Sequence, residues 1–268
     1  MHLQPYINLS RIITVVALLV SVAACQTGPN KFHADGITIH RLTQKVAHIY
    51  LVETAAGNLL VDTGFESSHK AIVAWLDSLN IPVDSIRAIV LTHAHTDHAG
   101  SATHLQTQLG NSHLPVFIGH KDKADFESGR SRSAHARYWF AKPLESSGNA
   151  DDYPPLTSTQ AIEDATLLSQ YLKDPVMPGE LIPIPGHTPG SMVLVVGPFA
   201  LMGDTVMGGV FSDTAREPLF LDEANTGDYK ALLKRKIVDK YPQINTFLPG
   251  HLRPISKAAL RRYTLPTE

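Results

Sequence analysis

The chain has 268 residues, of which 43% are hydrophobic and 18% are charged. A chain of this length and composition can bury the core of one catalytic domain, and it contains no internal repeat or low-complexity tract. The formal net charge of -2 at pH 7 gives no basic surplus, which argues against nucleic acid as a partner. Composition leaves the oligomeric state open.

The N-terminal residues differ in kind from the rest of the chain. Residues 12–24 form a run of apolar and small residues after Arg11. This run is shorter than the roughly 20 residues of a membrane-spanning helix and is suited to the apolar core of a signal peptide. It is followed by Cys25, the only cysteine. We therefore expect a signal peptide over residues 1–24 and an N-terminal linker over residues 25–35.

The sequence Val22-Ala23-Ala24-Cys25 resembles the end of a bacterial lipoprotein signal, in which cleavage before the cysteine follows its lipidation. This resemblance implies a lipid anchor at Cys25 and contact with a membrane of the bacterial cell envelope. Gln26 stands where an aspartate retains enterobacterial lipoproteins at the inner membrane, so the implied location is the outer membrane, on its periplasmic side. An ordinary secretory peptide and an uncleaved anchor are the alternatives.

Strands alternate with helices in a catalytic domain that we expect over residues 36–268. Apolar runs at residues 46–53 and 58–62 predict two strands around a turn. Ser67 or Ser68 is suited to cap the helix that follows. Further strands are predicted at residues 87–91, 115–118, 181–184, 192–196, 200–202 and 245–248, and a further helix near residues 228–240. This alternation alone also allows a doubly wound sheet.

The densest chemical motif follows the strand predicted at residues 87–91. It reads His93-Ala94-His95-Thr96-Asp97-His98, and imidazole nitrogen and carboxylate oxygen are ligand types that suit zinc and neighbouring first-row metals. His93 and His95 are two residues apart and can converge on one ion if the chain is extended. Asp97 and His98 are adjacent and point in different directions. Two ions would therefore use the block more fully than one.

Three further candidates, His187, Asp204 and His251, occupy similar settings. Each follows a short apolar run and a glycine, so we expect each in a strand-end loop, where sites are built and backbone can approach an ion closely. Asp62, in Val61-Asp62-Thr63-Gly64, is a candidate for one of two roles. It is either a metal ligand or a structural acceptor that binds backbone near the loop of residues 93–98, and the structural role is favoured.

Together these motifs resemble the metallo-beta-lactamase-fold hydrolase superfamily. The resemblance runs from about Gly36 to His251 and depends on Val61-Asp62-Thr63-Gly64, the block at residues 93–98, Gly186-His187, Gly203-Asp204 and Gly250-His251. It implies an α/β (α+β) fold, a four-layer αββα sandwich with two mixed sheets between helical layers. It also implies a first metal ion on His93, His95 and His187, a second on Asp97, His98 and His251, and Asp204 bridging both.

The segment at about residues 121–178 is expected to be an insertion in which the chain differs most from its relatives. It contains a basic and aromatic cluster, whose members are Arg130, Arg132, His135, Arg137, Tyr138, Trp139 and Phe140. The cluster could cover the site and bind an anionic substrate, although a solvated surface segment with core aromatics is favoured. Apolar residues from Ala161 to Leu172 predict one helix later in the segment.

The implied ligand set predicts a metal-dependent hydrolase with two Zn2+ per chain. A hydroxide shared by two ions is a nucleophile at neutral pH, and we expect it to attack the carbonyl of a small-molecule lactone, lactam, ester or thioester. Asp97 would hold the second ion and relay a proton. The alternatives are a mononuclear iron oxidoreductase similar to sulfur dioxygenases, with one Fe, and a phosphodiesterase of the same fold. The metal loops contain no cysteine, which argues against the beta-lactamase subclass with a cysteine ligand.

If Cys25 is lipidated, Cys25→Ser should release the protein from the membrane, because acyl chains contribute about 0.8 kcal/mol per buried methylene to membrane binding. Fractionation of cells that express each form, with mass spectrometry of the N-terminal peptide, checks this expectation. A wild-type protein in the soluble periplasmic fraction, with no acyl mass on Cys25, would contradict the lipoprotein prediction.

Overall fold

A computed structural model describes residues 28–109, 114–131, 135–136, 138–139, 142, 152–221 and 229–265. The predicted signal peptide and Cys25 lie outside these residues, as do Arg132, Arg137 and Phe140 of the basic and aromatic cluster. Among the residues described, no helix combines the length and the apolar character needed to cross a membrane.

Seven strands form the first sheet, in the order in which they follow one another along the chain. They are β1 Lys31–Ala34, β2 Ile37–Gln44, β3 Ala47–Thr54, β4 Gly57–Val61, β5 Ile86–Val90, β6 Val116–Gly119 and β7 Thr159–Ile162. The first four pair antiparallel, whereas β4, β5, β6 and β7 pair parallel. The carboxyl ends of these four parallel strands therefore meet at one edge of the sheet.

Six strands form the second sheet, in the order β15-β14-β11-β10-β9-β8. They are β8 Thr166–Leu167, β9 Glu180–Pro183, β10 Met192–Val196, β11 Phe199–Gly203, β14 Thr246–Pro249 and β15 Ile255–Ser256. Among the described strands of this sheet, only β11 and β14 pair parallel, so the loops that follow them leave the sheet side by side. A separate hairpin joins β12 Met207–Gly208 to β13 Ala215–Arg216.

The helices of the described residues are short apart from the first. They are α1 His69–Ser78, α2 Thr96–Ala99, α3 Ala102–Gln108, α4 Lys123–Glu127, α5 Leu168–Tyr171, α6 Tyr229–Leu233 and α7 Lys257–Tyr263. A π-helical turn, Lys234–Val238, continues α6, and 3-10 turns lie at Glu66–Ser68, Val83–Ser85 and His120–Asp122. The hydroxyl of Ser256 caps α7 by accepting a hydrogen bond from the Ala259 amide at 3.3 Å.

The alternation of side chains along the central strands builds four layers. On β3, Tyr50 and Val52 lie in the core between the two sheets, whereas Ile49 and Leu51 pack in the core that contains α1 and α3. A third core covers the outer face of the second sheet with residues of α6 and α7. The predicted αββα sandwich is confirmed. Burial on both faces explains why the central strands are continuous apolar runs in the sequence.

Three predictions from the sequence differ from the structure. Ser68 stands at the N-terminal cap position of α1, but its side chain makes no capping hydrogen bond. The sheet begins at Lys31, inside the predicted linker, because β1 pairs with β2 at the edge of the first sheet. The single helix predicted from Ala161 to Leu172 is wrong, since these residues form the end of β7, then β8 and the short α5. Pairing of β7 with β6 and burial of Ile162 between the sheets override the helical spacing of the apolar residues.

Two glycines bring the sheets into close contact near the parallel strand ends. A Cβ on Gly119, the last residue of β6, would overlap the carbonyl oxygen of Gly190, which lies in the loop before β10. Because the obstacle is backbone, it cannot turn aside as a side chain could.

We expect Gly119→Ala to lower the free energy of unfolding by about 2 kcal/mol or more, the usual range for overpacking. Urea unfolding measures this change. Gly36→Asn is a matched control, because a Cβ at Gly36 meets nothing within 4 Å and asparagine tolerates its φ of +74°. A Gly119→Ala protein as stable as the wild type would contradict the close approach of the two sheets.

Candidate metal centre

Loops at the carboxyl ends of the strands carry the seven predicted ligands. From the first sheet, His93 and His95 follow β5, and α2 carries Asp97 and His98. From the second sheet come His187 in the loop between β9 and β10, Asp204 directly after β11, and His251 after β14. The structure brings all seven to one edge of the sandwich, in groups that could hold metal ions.

His93, His95 and His187 form the first group. Their inward nitrogens make a triangle, in which His93 Nε2 lies 3.1 Å from His95 Nδ1 and 3.2 Å from His187 Nε2. The third side, from His187 Nε2 to His95 Nδ1, is 2.9 Å. All three side chains are buried. Three ring nitrogens so arranged cannot all be satisfied by one another, because a neutral imidazole has a single N–H.

Asp97, His98 and His251 form the second group. The Nε2 atoms of His98 and His251 lie 3.3 Å apart. Asp97 Oδ2 lies 3.3 Å from His251 Nε2 and 3.7 Å from His98 Nε2. The side chains of Asp97 and His251 are 21% and 12% exposed, so this group lies nearer to solvent than the first.

Asp204 lies between the two groups. Its Oδ2 is 3.6 Å from His187 Nε2 of the first group and 3.2 Å from His251 Nε2 of the second. Its Oδ1 is 3.4 Å from His98 Nε2. Among the described residues, Oδ1 is buried and has no hydrogen-bond partner. A buried carboxylate oxygen without a partner is costly, and a cation would satisfy it.

Four of the histidines are held from outside by the ring nitrogen that faces away from the centre. The Nδ1–H of His93 donates to Thr92 Oγ1 (3.1 Å), and that of His98 donates to Asp62 Oδ2 (2.8 Å). The Nδ1–H of His187 donates to the Phe220 carbonyl (2.7 Å), and that of His251 donates to the Val46 carbonyl (2.8 Å). Each bond fixes a proton on Nδ1 and turns Nε2 inward, the orientation that metal-ligating histidines require.

Asp62 orients the metal loop, in agreement with the structural interpretation of its sequence motif. Its Oδ1 accepts a hydrogen bond from the Thr92 amide at 2.8 Å. Its Oδ2 accepts from His98 Nδ1 at 2.8 Å and from the Thr92 hydroxyl at 2.9 Å. Asp62 belongs to none of the candidate ligand groups of the described residues.

Burial keeps the first-group histidines neutral. Burial, and then the neighbouring His98 and His187, hold the pKa of His93 well below its usual range. Burial followed by the charge of His187 lowers the pKa of His95 to about 3. Burial also lowers the pKa of His187. Neutral imidazole is the form that binds metal.

The carboxylates shift the remaining groups. Burial lowers the pKa of His98, but Asp97, Asp204 and Asp62 outweigh it and raise this pKa to about 9. Burial raises the pKa of Asp97 and of Asp204, yet the nearby His98 and His251 outweigh it and hold both pKa values below their usual range. The negative charge of the cluster therefore favours a positive charge at its centre.

Gly250 allows the second group to close. A Cβ at this position would lie 2.5 Å from Asp204 Oδ1 and 2.5 Å from His98 Cε1. His251 can therefore lie beside Asp204 and His98 only because the residue before it is a glycine.

Two residues near the centre were not identified from the sequence. Asp122 and Tyr153 are buried, with relative exposures of 0% and 4%, and both contact the loop that carries His93 and His95. Asp122 follows the apolar run of β6 just as the histidine block follows β5, so its position after a strand was the available signal. His120, which follows β6 directly, is exposed.

The basic and aromatic cluster is only partly described. Trp139 is 82% exposed, and the Tyr138 hydroxyl donates to Glu217 Oε2 at 3.2 Å. Ala136 pairs with Phe220, the residue whose carbonyl accepts from His187. The segment thus reaches the outer side of the first ligand group, while its contact with a substrate stays a prediction.

Comparison with known proteins shows which family the chain resembles. The family described as the metallo-beta-lactamase superfamily matches residues 42–251. The chain is 27% identical over 178 residues to the probable metallo-hydrolase YflN of Bacillus subtilis (strain 168). That alignment covers 63% of this chain and 64% of the relative, so the chain spans less than two thirds of the relative's length.

Solved structures share the fold. A subclass B3 metallo-beta-lactamase of Bradyrhizobium japonicum, BJP-1, is 19% identical, with a TM-score of 0.56 over 85% of this chain and 80% of that one. TTHA1623, solved in a di-iron-bound form, is 24% identical, with a TM-score of 0.58 over 85% of this chain and 98% of that one. At these identities the likeness concerns the fold alone.

We expect Asp62→Asn to lower the free energy of unfolding of the metal-free protein by about 2 kcal/mol. Asparagine keeps the size of the side chain but cannot accept from Thr92 and His98 with both terminal atoms. Urea unfolding measures the loss, and Asp35→Asn at an exposed turn is the control that should change it little. Equal stability of Asp62→Asn and the wild type would show that this acceptor does not orient the loop.

Proposed function

Because the chain belongs to the metallo-beta-lactamase superfamily, we propose that it is a hydrolase that uses two zinc ions to cleave a small-molecule lactone, lactam, ester or thioester. One observation carries the proposal. Asp204 lies within 3.6 Å of ligand nitrogens in both groups, while its buried Oδ1 has no hydrogen-bond partner among the described residues.

The donor atoms fit zinc. Ligands about 2.0 to 2.1 Å from a tetrahedral Zn2+ lie roughly 3.3 Å from one another, and the first-group nitrogens lie 2.9 to 3.2 Å apart. Imidazole nitrogen and carboxylate oxygen are also the ligand types that zinc accepts. His93, His95 and His187 would hold one ion, Asp97, His98 and His251 the other, and Asp204 both. When bound, two such ions acidify a water molecule and polarise a carbonyl oxygen of the substrate.

Side chains of the centre would transfer the proton and hold the histidine rings in place. Asp97 is partly exposed, so its Oδ2 stands at the solvent side of the centre. There it can accept the proton of the attacking water and pass it to the leaving group. The outward hydrogen bonds of His93, His98, His187 and His251 keep the rings fixed while this occurs.

The proposed location is the periplasmic side of the outer membrane. The Val22-Ala23-Ala24-Cys25 sequence supports it. A lipid anchor there would leave the catalytic domain in the periplasm.

The Asp97→Asn variant tests the proposal. We expect two zinc ions per wild-type chain and about one in the variant, because the amide keeps the shape of the side chain but loses its charge. Turnover should fall by a factor on the order of 10² to 10⁴, the usual cost of losing a general base. Metal analysis by mass spectrometry gives the first quantity. Assays with nitrocefin, homoserine lactones, thioesters and phosphodiesters identify the substrate class and give the second.

Asp77→Asn, at an exposed position of α1, is the matched control and should keep both ions and full turnover. A wild-type protein with a single iron would contradict the two-zinc proposal and favour the oxidoreductase. Cleavage of phosphodiesters and of none of the carbonyl substrates would show that the protein is a phosphodiesterase instead. Full activity in Asp97→Asn would remove Asp97 from the mechanism.

A further inference from the structure

Two buried side chains of the 121–178 segment hold the peptide between His93 and His95 from both sides. Asp122 Oδ2 accepts a hydrogen bond from the Ala94 amide at 3.1 Å. The Tyr153 hydroxyl donates to the Ala94 carbonyl at 2.9 Å. Both polar groups of Ala94 are therefore bound by residues that lie 28 and 59 positions further along the chain.

Asp122 also holds the loop that carries the third ligand of the first group. Its Oδ2 accepts from the Thr188 hydroxyl at 2.6 Å, and its Oδ1 accepts from the Gly190 amide at 2.7 Å. Thr188 follows His187 directly. One carboxylate thus joins the His93–His95 loop of the first sheet to the His187 loop of the second.

The packing around this carboxylate leaves it little freedom. A Cβ at Gly190 would lie 2.5 Å from the Asp122 amide nitrogen and 2.6 Å from Asp122 Oδ1. Tyr153 is fixed by its own packing, with its ring centroid 5.7 Å from that of Phe126. The second ligand group has different supports, since Asp62 holds His98 and the Val46 carbonyl holds His251.

We propose that Asp122 and Tyr153 are positioning residues that set the spacing of His93, His95 and His187, and so determine the affinity of the first group for its metal ion. The inference rests on the proposed two-metal function. It gives the 121–178 segment a part in building the centre, separate from any contact of its basic and aromatic cluster with substrate.

The test measures zinc affinity of the full chain directly, by titrating metal-free protein with Zn2+ in competition with a chromophoric chelator. The variants Asp122→Asn and Tyr153→Phe are measured alone and in the Asp97→Asn background, where the remaining ion is that of the first group. We expect Asp122→Asn to weaken this ion about 10- to 100-fold, the usual effect of removing an outer partner of metal ligands. Tyr153→Phe keeps the ring and loses one neutral hydrogen bond, for which we expect about a fivefold effect.

Matched controls lie in the same segment. Tyr171→Phe removes a partly exposed hydroxyl whose acceptor, the Ala161 carbonyl, is at 3.4 Å. Asp174→Asn removes a carboxylate paired with Arg87. Neither should change zinc affinity by more than about twofold, and the second ion should keep its affinity in Asp122→Asn and Tyr153→Phe, because its supports are separate.

Urea unfolding of the metal-free variants separates positioning from general stability. Zinc affinity at wild-type level in the folded variants, whatever their loss of stability, would overturn the inference, as would equal weakening of both ions. If Asp122→Asn does not fold, Tyr153→Phe decides alone. A wild type that binds no zinc would overturn the proposed function as well, whereas two ions in the wild type and unchanged affinity in the variants would overturn only the inference.

Discussion

The whole centre depends on one electrostatic constraint, which is that ring nitrogens and carboxylate oxygens face one another at largely buried positions. Left alone, such groups repel each other and lose their hydration. The raised pKa of His98, caused by Asp97, Asp204 and Asp62 against the effect of burial, expresses this demand for positive charge. The rest of the fold must hold the side chains in this arrangement against the cost of burying them.

The fold meets this constraint with supports placed outside the ligands. Parallel strands bring their loops to one edge, glycines let those loops approach, and carbonyl or carboxylate oxygens bind the outward N–H groups of the rings. Two buried carboxylates act on the loops in different ways. Asp62 binds the start of the histidine block and His98, whereas Asp122 binds backbone and side-chain donors of two loops from different sheets. Apart from the Thr92 hydroxyl beside His93, the groups that bind the outward ring nitrogens come from residues distant in sequence from the ligand that they hold.

The difference between the ligands and the residues that support them explains what could be predicted from the sequence. The histidine block and the Gly-His and Gly-Asp motifs combine rare residue types with short spacing, and the structure brings all of them together. Asp122 and Tyr153 are single residues without a periodic pattern, and their importance arises from tertiary contacts 28 and 59 positions away from Ala94. The failed helix prediction around Ile162 has the same origin, because pairing with β6 outweighed local spacing.

The placement of the ligand groups across both sheets also bears on the order of events when the chain folds. His187 lies 94 positions from His93, and His251 lies 153 positions from His98. An unfolded chain cannot gather such distant ligands, so a metal ion would bind only after the two sheets have packed together. Its binding free energy would then add to that of folding. In a compartment poor in the metal ion, the two sheets would separate more often and expose these loops to proteases. Metal supply would then control the lifetime of the protein together with its chemistry.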